Sequence, residues 1–366
     1  PIQGHQWAFA EHPHQADVNR LGCHRWNALR PLTQQRQALD GQGGAEVMRT
    51  AALGLTLLLL ASGLAGCAGL TGDGDSKSSD DPFTAPVWEV GDWWLYTFST
   101  PDYSDDTARL VVASDSEEGG TAYMLAISSE TEARRHAVLN HNPFLGRITH
   151  DNLSAFENGV AQPALTFPLS NGQSWTFTLF SNDWTANVLD KTRDFAIISA
   201  QATDGSRLDY TYDPEIGFFS SFTWTDADGV EQLRMQFASG GEGHTGEVFF
   251  IRGGDLYAKT WENAGTDAEF RDTFFVSNHP QDGEWDEMIY YLDAACGSGG
   301  SSITLTLRDH TSVSALERFW GPGAEEYGTL GTIPYPSEEY TLTLTFTGDS
   351  DLRLIIAGGI TYSWSI

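Results

Sequence analysis

Tyr340-Thr-Leu342-Thr-Leu344-Thr-Phe346 alternates apolar or aromatic side chains with threonines through seven residues. That is period 2, the spacing of a β-strand with one packed and one wetted face; a helix would scatter those four large side chains around its axis. Ile303-Thr-Leu305-Thr-Leu307 and Trp175-Thr-Phe177-Thr-Leu179 repeat the pattern, and the β-branched threonines suit a pleated, solvated surface. Weaker strands are predicted at Trp93–Phe98, Arg109–Ala113, Ala122–Ser128, Phe195–Ala200, Arg207–Tyr212, Phe218–Trp224, Glu231–Phe237, Val248–Ile251, Met288–Asp293, Leu352–Ala357 and Tyr362–Ile366. Turn signals separate them, among them Asn171-Gly172, Asp204-Gly205 and Gly253-Gly254, and Asp226-Ala-Asp-Gly229 marks the best hairpin. One short helix is predicted over Val313–Trp320, with Leu316, Phe319 and Trp320 on one face and Gly321-Pro322 ending it. Thr131–Leu139 fits helix or strand. The fold class is therefore all-β, in two parts, 87–240 and 241–366, divided at the glycine-rich Ser239–Gly246.

Composition removes several function classes. The chain has 366 residues with 50 Asp+Glu against 20 Lys+Arg, a formal charge of −30. Phosphate backbones need a basic footprint, so nucleic acid is excluded as a partner. Aromatics at 12 % are too many for a disordered acidic chain, and three cysteines too few for a disulfide scaffold. Residues 1–47 are neutral, with four Arg and four acids, so the imbalance lies beyond them, at 16 basic against 46 acidic residues. The only lysines are Lys77, Lys191 and Lys259, against 17 Arg. Such a surface holds water and cations in concentrated salt, where screening removes its self-repulsion. This predicts salt adaptation, the alternative being an acidic secreted domain.

The amino-terminal text changes character twice. Residues 1–47 lack a clear period and are expected to be an upstream extension outside the native protein, a genuine disordered extension being the alternative. Met48-Arg49-Thr50 then opens a short apolar run, Ala51 to Leu60, and a small-residue stretch ends in Leu64-Ala65-Gly66-Cys67. The run is shorter than the roughly 18–20 residues that span a bilayer, so residues 48–66 read as a signal peptide. Residues 67–86 are rich in Gly, Ser and Asp, the composition of a flexible tether. Of the other cysteines, Cys23 lies in the extension, and Cys296, in a Gly/Ser turn, reads as a bland buried or turn residue.

Leu64-Ala65-Gly66-Cys67 resembles the lipobox of prokaryotic lipoproteins. The resemblance implies cleavage between Gly66 and Cys67, a lipid on the Cys67 sulfur, and an extracytoplasmic protein anchored to the membrane or cell envelope. Trp88-Glu-Val-Gly-Asp-Trp-Trp-Leu-Tyr96, Phe167-Pro-Leu-Ser-Asn-Gly-Gln-Ser-Trp175 and Tyr212-Asp-Pro-Glu-Ile-Gly217-Phe-Phe follow one another in the order of surface lipoproteins with a LolA-like or YmcC-like half-barrel. That resemblance implies a curved antiparallel sheet with an apolar concave face, used in some members to hold lipid or another apolar ligand. The last 120 residues resemble the C-terminal β-sandwich modules of secreted prokaryotic proteins.

Catalytic signatures are absent from the sequence: there is no Gly-x-Ser-x-Gly elbow, P-loop, dinucleotide fingerprint or His-Glu-x-x-His, and no cofactor is expected. The candidate metal ligands are His136, His141, His150 and Asp151, residue types that suit zinc. An odd spacing from 136 to 141 sends the two histidines to opposite faces of a strand. Trp184, Trp261 and Trp285 stand beside acids (Asp183, Glu262, Asp286) and are the candidate exposed ligand contacts. The expectation is a non-catalytic, lipid-anchored module that binds a small molecule, lipid or protein. The alternative is an anchored hydrolase using a carboxylate pair or the histidine group.

Overall fold

The computed structural model describes residues 81–101, 103–140, 142–276, 284–334 and 336–366. The expected extension 1–47, signal peptide 48–66, Cys67 and His141 lie outside the described residues, as does the tether up to residue 80. The strands in chain order are β1 (Trp93–Thr100), β2 (Tyr103–Ser116), β3 (Ala122–Ile127), β4 (Gly146–Thr149), β5 (Ala155–Glu157), β6 (Val160–Gln162), β7 (Ser174–Leu179), β8 (Asn182–Lys191), β9 (Ala196–Ala202) and β10 (Arg207–Asp213). They continue with β11 (Phe218–Thr225), β12 (Glu231–Gly241), β13 (Glu247–Ala264), β14 (Ala268–Phe275), β15 (Glu287–Cys296), β16 (Ser302–Asp309), β17 (Ser314–Trp320), β18 (Glu325–Pro334), β19 (Glu339–Thr347) and β20 (Asp349–Ser365).

The fold is all-β and antiparallel with very little helix. Sixteen of these strands form one sheet in the order β18-β15-β20-β13-β3-β2-β1-β12-β11-β10-β9-β8-β7, with β4, β5 and β6 branching from β3. A second sheet runs β14-β19-β16-β17. The long Thr/Leu alternations are β19, β16 and β7, and the Asp226–Gly229 hairpin closes β11 onto β12, with Asp226 Oδ1 accepting from the backbone N–H of Asp228 and Val230.

The large sheet curls around the segment 129–169. Ser129 accepts from the Glu132 backbone N–H, the capping bond that starts helix α1 (Glu130–Arg135). A π-helical turn, His136–Asn140, continues it, so the ambiguous 131–139 stretch is helical. Phe144 then sinks among Phe218, Phe219 and Phe222, with ring centroids 4.8–5.9 Å away. Tyr210 donates its hydroxyl to the Ala164 carbonyl at 2.6 Å, and Trp175 its indole N–H to the Pro163 carbonyl at 2.8 Å. The face of the sheet that meets this segment is thus apolar, and the chain's own loops pack against it.

The glycine-rich stretch at 239–246 is crossed by the same sheet. β13 joins β3 and β20, and Ile251, Ile289, Tyr291, Ile355 and Ala357 belong to the core of the N-terminal half. The other face of β15 and β20 supplies Met288, Tyr290, Leu292, Leu352, Leu354 and Ile356 to a second core under the four-stranded sheet, whose inner side is Ile303, Leu305, Leu307, Leu342, Leu344 and Phe346. Strands buried on both faces read as unbroken apolar runs, which is why Met288-Ile-Tyr-Tyr-Leu292 does not alternate.

Three expectations need correction. Val313–Trp320 is not helical: Ser314–Trp320 is β17, paired with β16 through Ile303↔Trp320 and Leu307↔Leu316. Leu316 and Trp320 share a face in either structure, and Phe319, placed on that face by a helix, is 68 % exposed. Gly253-Gly254 is not a turn but the middle of β13, where glycine admits close neighbours. Phe83, expected within the tether 67–86, is instead held on the body: it exchanges backbone hydrogen bonds with Leu169 (3.0 and 2.8 Å). Lys191 Nζ donates to the Asp81 carbonyl at 2.6 Å and lies 4.2 Å from the Phe83 ring centroid.

Candidate functional site

β3 has two partners along one edge. Ala122–Leu125 pair with Thr149–Gly146 of β4, whereas Ile127 alone pairs with Phe249 of β13. The two partner strands diverge past Leu125, and the fork between them is a cleft of about 440 Å³. Its floor is α1 and the π-helical turn, from Ala133 to Ala137. Gly253 lets that turn approach: a Cβ there would stand 2.2 Å from the Ala137 carbonyl oxygen. Gly146 does the same for the Phe250 ring.

Polar side chains gather in this fork. Arg147, which alternation sends out of β4, pairs with Glu118 and lies over the Phe156 ring at 4.4 Å. Arg252 stands over Tyr362 at 5.7 Å. Asn142 is buried; its Oδ1 accepts from the Phe144 backbone N–H at 3.0 Å, and its Nδ2 has no partner. His136 is buried edge-on against Phe98 at 4.6 Å. Among the described residues lining the cleft there is no Asp, Glu, Ser, Thr or Cys. Sequence reasoning missed Arg147, Arg252 and Asn142, because the signal is a meeting of three distant segments.

A charged cluster braces α1 beside the cleft. Arg135 Nε meets Asp106 Oδ2 at 2.5 Å, and Arg134 bridges Glu130 (2.6 Å) and Glu287 (2.9 Å). Burial, then the neighbouring Asp106, holds the Glu132 carboxyl above its ordinary value of 4.5, against the opposing pull of Arg135. The folded chain therefore holds this proton more tightly than the unfolded chain, and stability falls as pH rises from 4.5 through the raised value. Glu132→Gln is expected to raise the melting temperature at pH 7 by about 1–2 °C, a small figure because the group is half-exposed. Below pH 4.5 wild type and variant should melt together, as followed by circular dichroism.

The candidate tryptophans are buried, not exposed. Trp184, Trp261 and Trp285 are 1 %, 6 % and 7 % exposed. Successive strand side chains alternate, so an acid next to a tryptophan reports that the opposite face is wet: Asp183 and Glu262 are exposed while Trp184 and Trp261 point inward. Trp184 donates its indole N–H to the Leu179 carbonyl at 2.7 Å. Trp285 lies across Gly254 and Gly358, where a Cβ would meet its ring at 2.6 and 2.3 Å. Of the candidate metal ligands, His136 packs edge-on against Phe98, His150 packs tilted against Tyr123 at 4.1 Å, and Asp151 accepts from Asn152 at 3.2 Å. No group of three or more His, Cys, Asp or Glu among the described residues is placed to hold a metal ion.

A Ser–His contact elsewhere was not expected from sequence. His310 Nδ1 meets Ser337 Oγ, and the adjacent Asp309 accepts from the backbone N–H of Thr311 and Val313. The carboxylate is occupied by its own turn, and Ser337 also accepts from the His310 backbone N–H at 3.5 Å. The arrangement clamps the β16–β17 turn to the 336–338 loop. Cys296 is buried, and burial pushes its thiol up, away from nucleophile chemistry.

No family model matches the chain, and no curated protein matches it. Among solved structures it is similar to an exo-β-1,3-galactanase from Phanerochaete chrysosporium with bound β-1,3-galactotriose, at 8 % identity over 68 % of this chain and 78 % of that one, TM-score 0.17. It is similar to carbohydrate-binding modules of the β-sandwich superfamily at 9 % identity over 77 % and 94 %, TM-score 0.16. It is also similar to an infectious bursal disease virus structure at 10 % identity over 77 % and 74 %, TM-score 0.16. At TM-scores this low the likenesses bear on none of this chain's individual residues.

Proposed function

We propose that the chain is a lipid-anchored, extracytoplasmic and non-catalytic binding module, carrying its lipid on Cys67 and its ligand in the cleft between β4 and β13. The observation that carries the binding reading is the cleft's lining. The buried Asn142 amide stands with Arg147, Arg252, Phe249 and Phe250 around a space of the size that small molecules occupy. Binding groups are present there without a carboxylate pair or a nucleophile among the described lining residues. The half-barrel's concave side, filled by Phe144 and its neighbours, favours the cleft over the concavity as the ligand's seat. The anchor rests on Leu64-Ala65-Gly66-Cys67 and the Gly/Ser/Asp stretch that follows. With a charge of −30 the body itself is repelled by anionic headgroups, so the lipid does the anchoring and the tether sets the standoff.

Two measurements test this. Mass spectrometry of the mature N-terminus is expected to find a lipid-modified Cys67, and Cys67→Ser is expected to move the protein from the membrane fraction to the soluble one. An unmodified N-terminus elsewhere, or unchanged fractionation, removes the anchor. Native mass spectrometry is expected to find a co-purified small molecule that Leu145→Trp, which fills the cleft, excludes; an unchanged adduct in that variant removes the cleft.

A further inference from the structure

We infer that the chain has a second ligand site, outside the cleft, where Arg109 receives the carboxylate of a small organic acid with an apolar body. The site lies on the face of β1 and β2 turned away from the main core. Alternation sends Ala108, Leu110 and Val112 of β2 into that core and Arg109 and Val111 to the other side, where Trp93 of β1 also packs. None of Arg109, Trp93 and His244 lines the cleft, so the site goes beyond the cleft reading and does not depend on it.

The site is built in tiers. Trp93 pairs with Gly241 across β1 and β12, and a Cβ at Gly241 would stand 3.0 to 3.1 Å from three atoms of the indole, so glycine makes room for the ring. The Arg109 guanidinium lies over that ring, its Cζ 4.4 Å from the centroid. The glycine-rich crossing then brings in His244, whose backbone N–H donates to the Gly91 carbonyl at 2.8 Å. Burial, then the charge of Arg109, holds the His244 imidazole below its ordinary value of 6.5. At neutral pH it is an uncharged hydrogen-bonding group beside the guanidinium.

What these tiers lack is a counter-charge. Arg134, Arg135 and Arg147 are half-buried, and each meets a carboxylate. Arg109 is half-buried too, yet among the described residues its side chain has no ion pair and no hydrogen bond, and its Nε is shut off from water without an acceptor. In a chain of 50 acids and 20 bases, a cation that has lost part of its hydration and gained only a ring stands out. A carboxylate restores the balance, because two parallel N–H bonds along one edge of the guanidinium match its geometry while the indole keeps the plane fixed. The surroundings favour an organic acid over a bare ion. Trp93, Trp364 and Ile366 are half-buried on the small apolar cluster of Val111, Met124 and Val248, so apolar surface flanks the cation.

Ligand-observed NMR titration of the intact protein with benzoate, and with its neutral counterpart benzamide, tests the site. Benzoate is expected to bind about 10-fold or more tighter than benzamide. Arg109→Gln is expected to weaken benzoate binding about 10- to 100-fold while melting near wild type. Arg271→Gln, which removes an exposed arginine from β14, and Leu145→Trp, which fills the cleft, are expected to leave it unchanged. Should Arg109→Gln melt early, Arg109→Lys keeps the charge but not the fork and is expected to weaken binding by about 10-fold. No binding of benzoate, equal binding of benzamide, or an affinity that neither Arg109 variant lowers overturns the site. Benzoate binding that Leu145→Trp abolishes and the Arg109 variants do not would place the acid in the cleft, so that the cleft reading stands and this one falls.

Discussion

Gly253→Ala is expected to destabilise the protein by about 3 kcal/mol or more, at or above the usual range for overpacking. The added Cβ would stand 2.2 Å from the Ala137 carbonyl oxygen, 3.0 Å from its carbonyl carbon and 3.1 Å from its Cα. All three are backbone atoms, so no rotamer change relieves the clash. Neither side is free to retreat. Gly253 is paired with Gly359 on β20, and the π-helical turn is pinned by His136, Val138 and Leu139, all buried in the core. Urea unfolding monitored by tryptophan fluorescence measures the cost. Gly229→Ala is the control: its Cβ meets nothing within 4 Å, and the residue is strained only by its φ of +81°. That substitution should cost about 1 kcal/mol. If both variants cost the same, the close approach of β13 to the helical segment is not what holds glycine at 253.

Phe218→Ala is expected to cost about 3–5 kcal/mol, the range for deleting a fully buried aromatic ring. Phe218 is 0 % exposed and stands edge-on to Trp88 at 5.2 Å and to Phe144 at 5.9 Å, with Trp94 at 5.6 Å and Phe219 at 4.7 Å. The surrounding rings cannot collapse into the space, because hydrogen bonds fix them. Trp88 donates to the Gly217 carbonyl (3.2 Å), Trp94 to the Ile216 carbonyl (2.8 Å) and Tyr96 to the Phe219 carbonyl (2.6 Å). The same truncation at the exposed Phe319 should change stability by no more than about 0.5 kcal/mol. Guanidinium melts of the two variants, read against wild type, separate the cases, and a small effect at Phe218 would mean that this aromatic cluster is loosely packed.

The fold was legible in sequence wherever one strand face is wet. β19, β16 and β7 announce themselves because threonine and leucine take turns, and the β11–β12 hairpin because Asp226 and Gly229 leave the turn little alternative. Legibility failed where a side chain's neighbourhood is made by distant segments. The spacing of Leu316 and Trp320 satisfies helix and strand alike, and only pairing with β16 decides. Gly253-Gly254 carries the composition of a turn, but its reason is Ala137 on one face of the strand and Trp285 on the other. The cleft was invisible for the same reason: Asn142, Arg147 and Arg252 become neighbours only when β4 and β13 separate along β3. Trp184 and Trp261 were misread by taking an adjacent acid as a sign of exposure rather than of alternation.

β13, β15 and β20 are a party wall between two rooms. Cutting the gene near residue 240 would leave the front room without the Ile251, Tyr291 and Ile355 panels, and would hand the back room a wall whose far side is bare grease. Neither piece is a tenant that can move out alone. Shuffling, truncation or proteolytic trimming at the glycine-rich crossing is therefore expected to yield sticky fragments rather than modules, and heat should open both rooms in one transition.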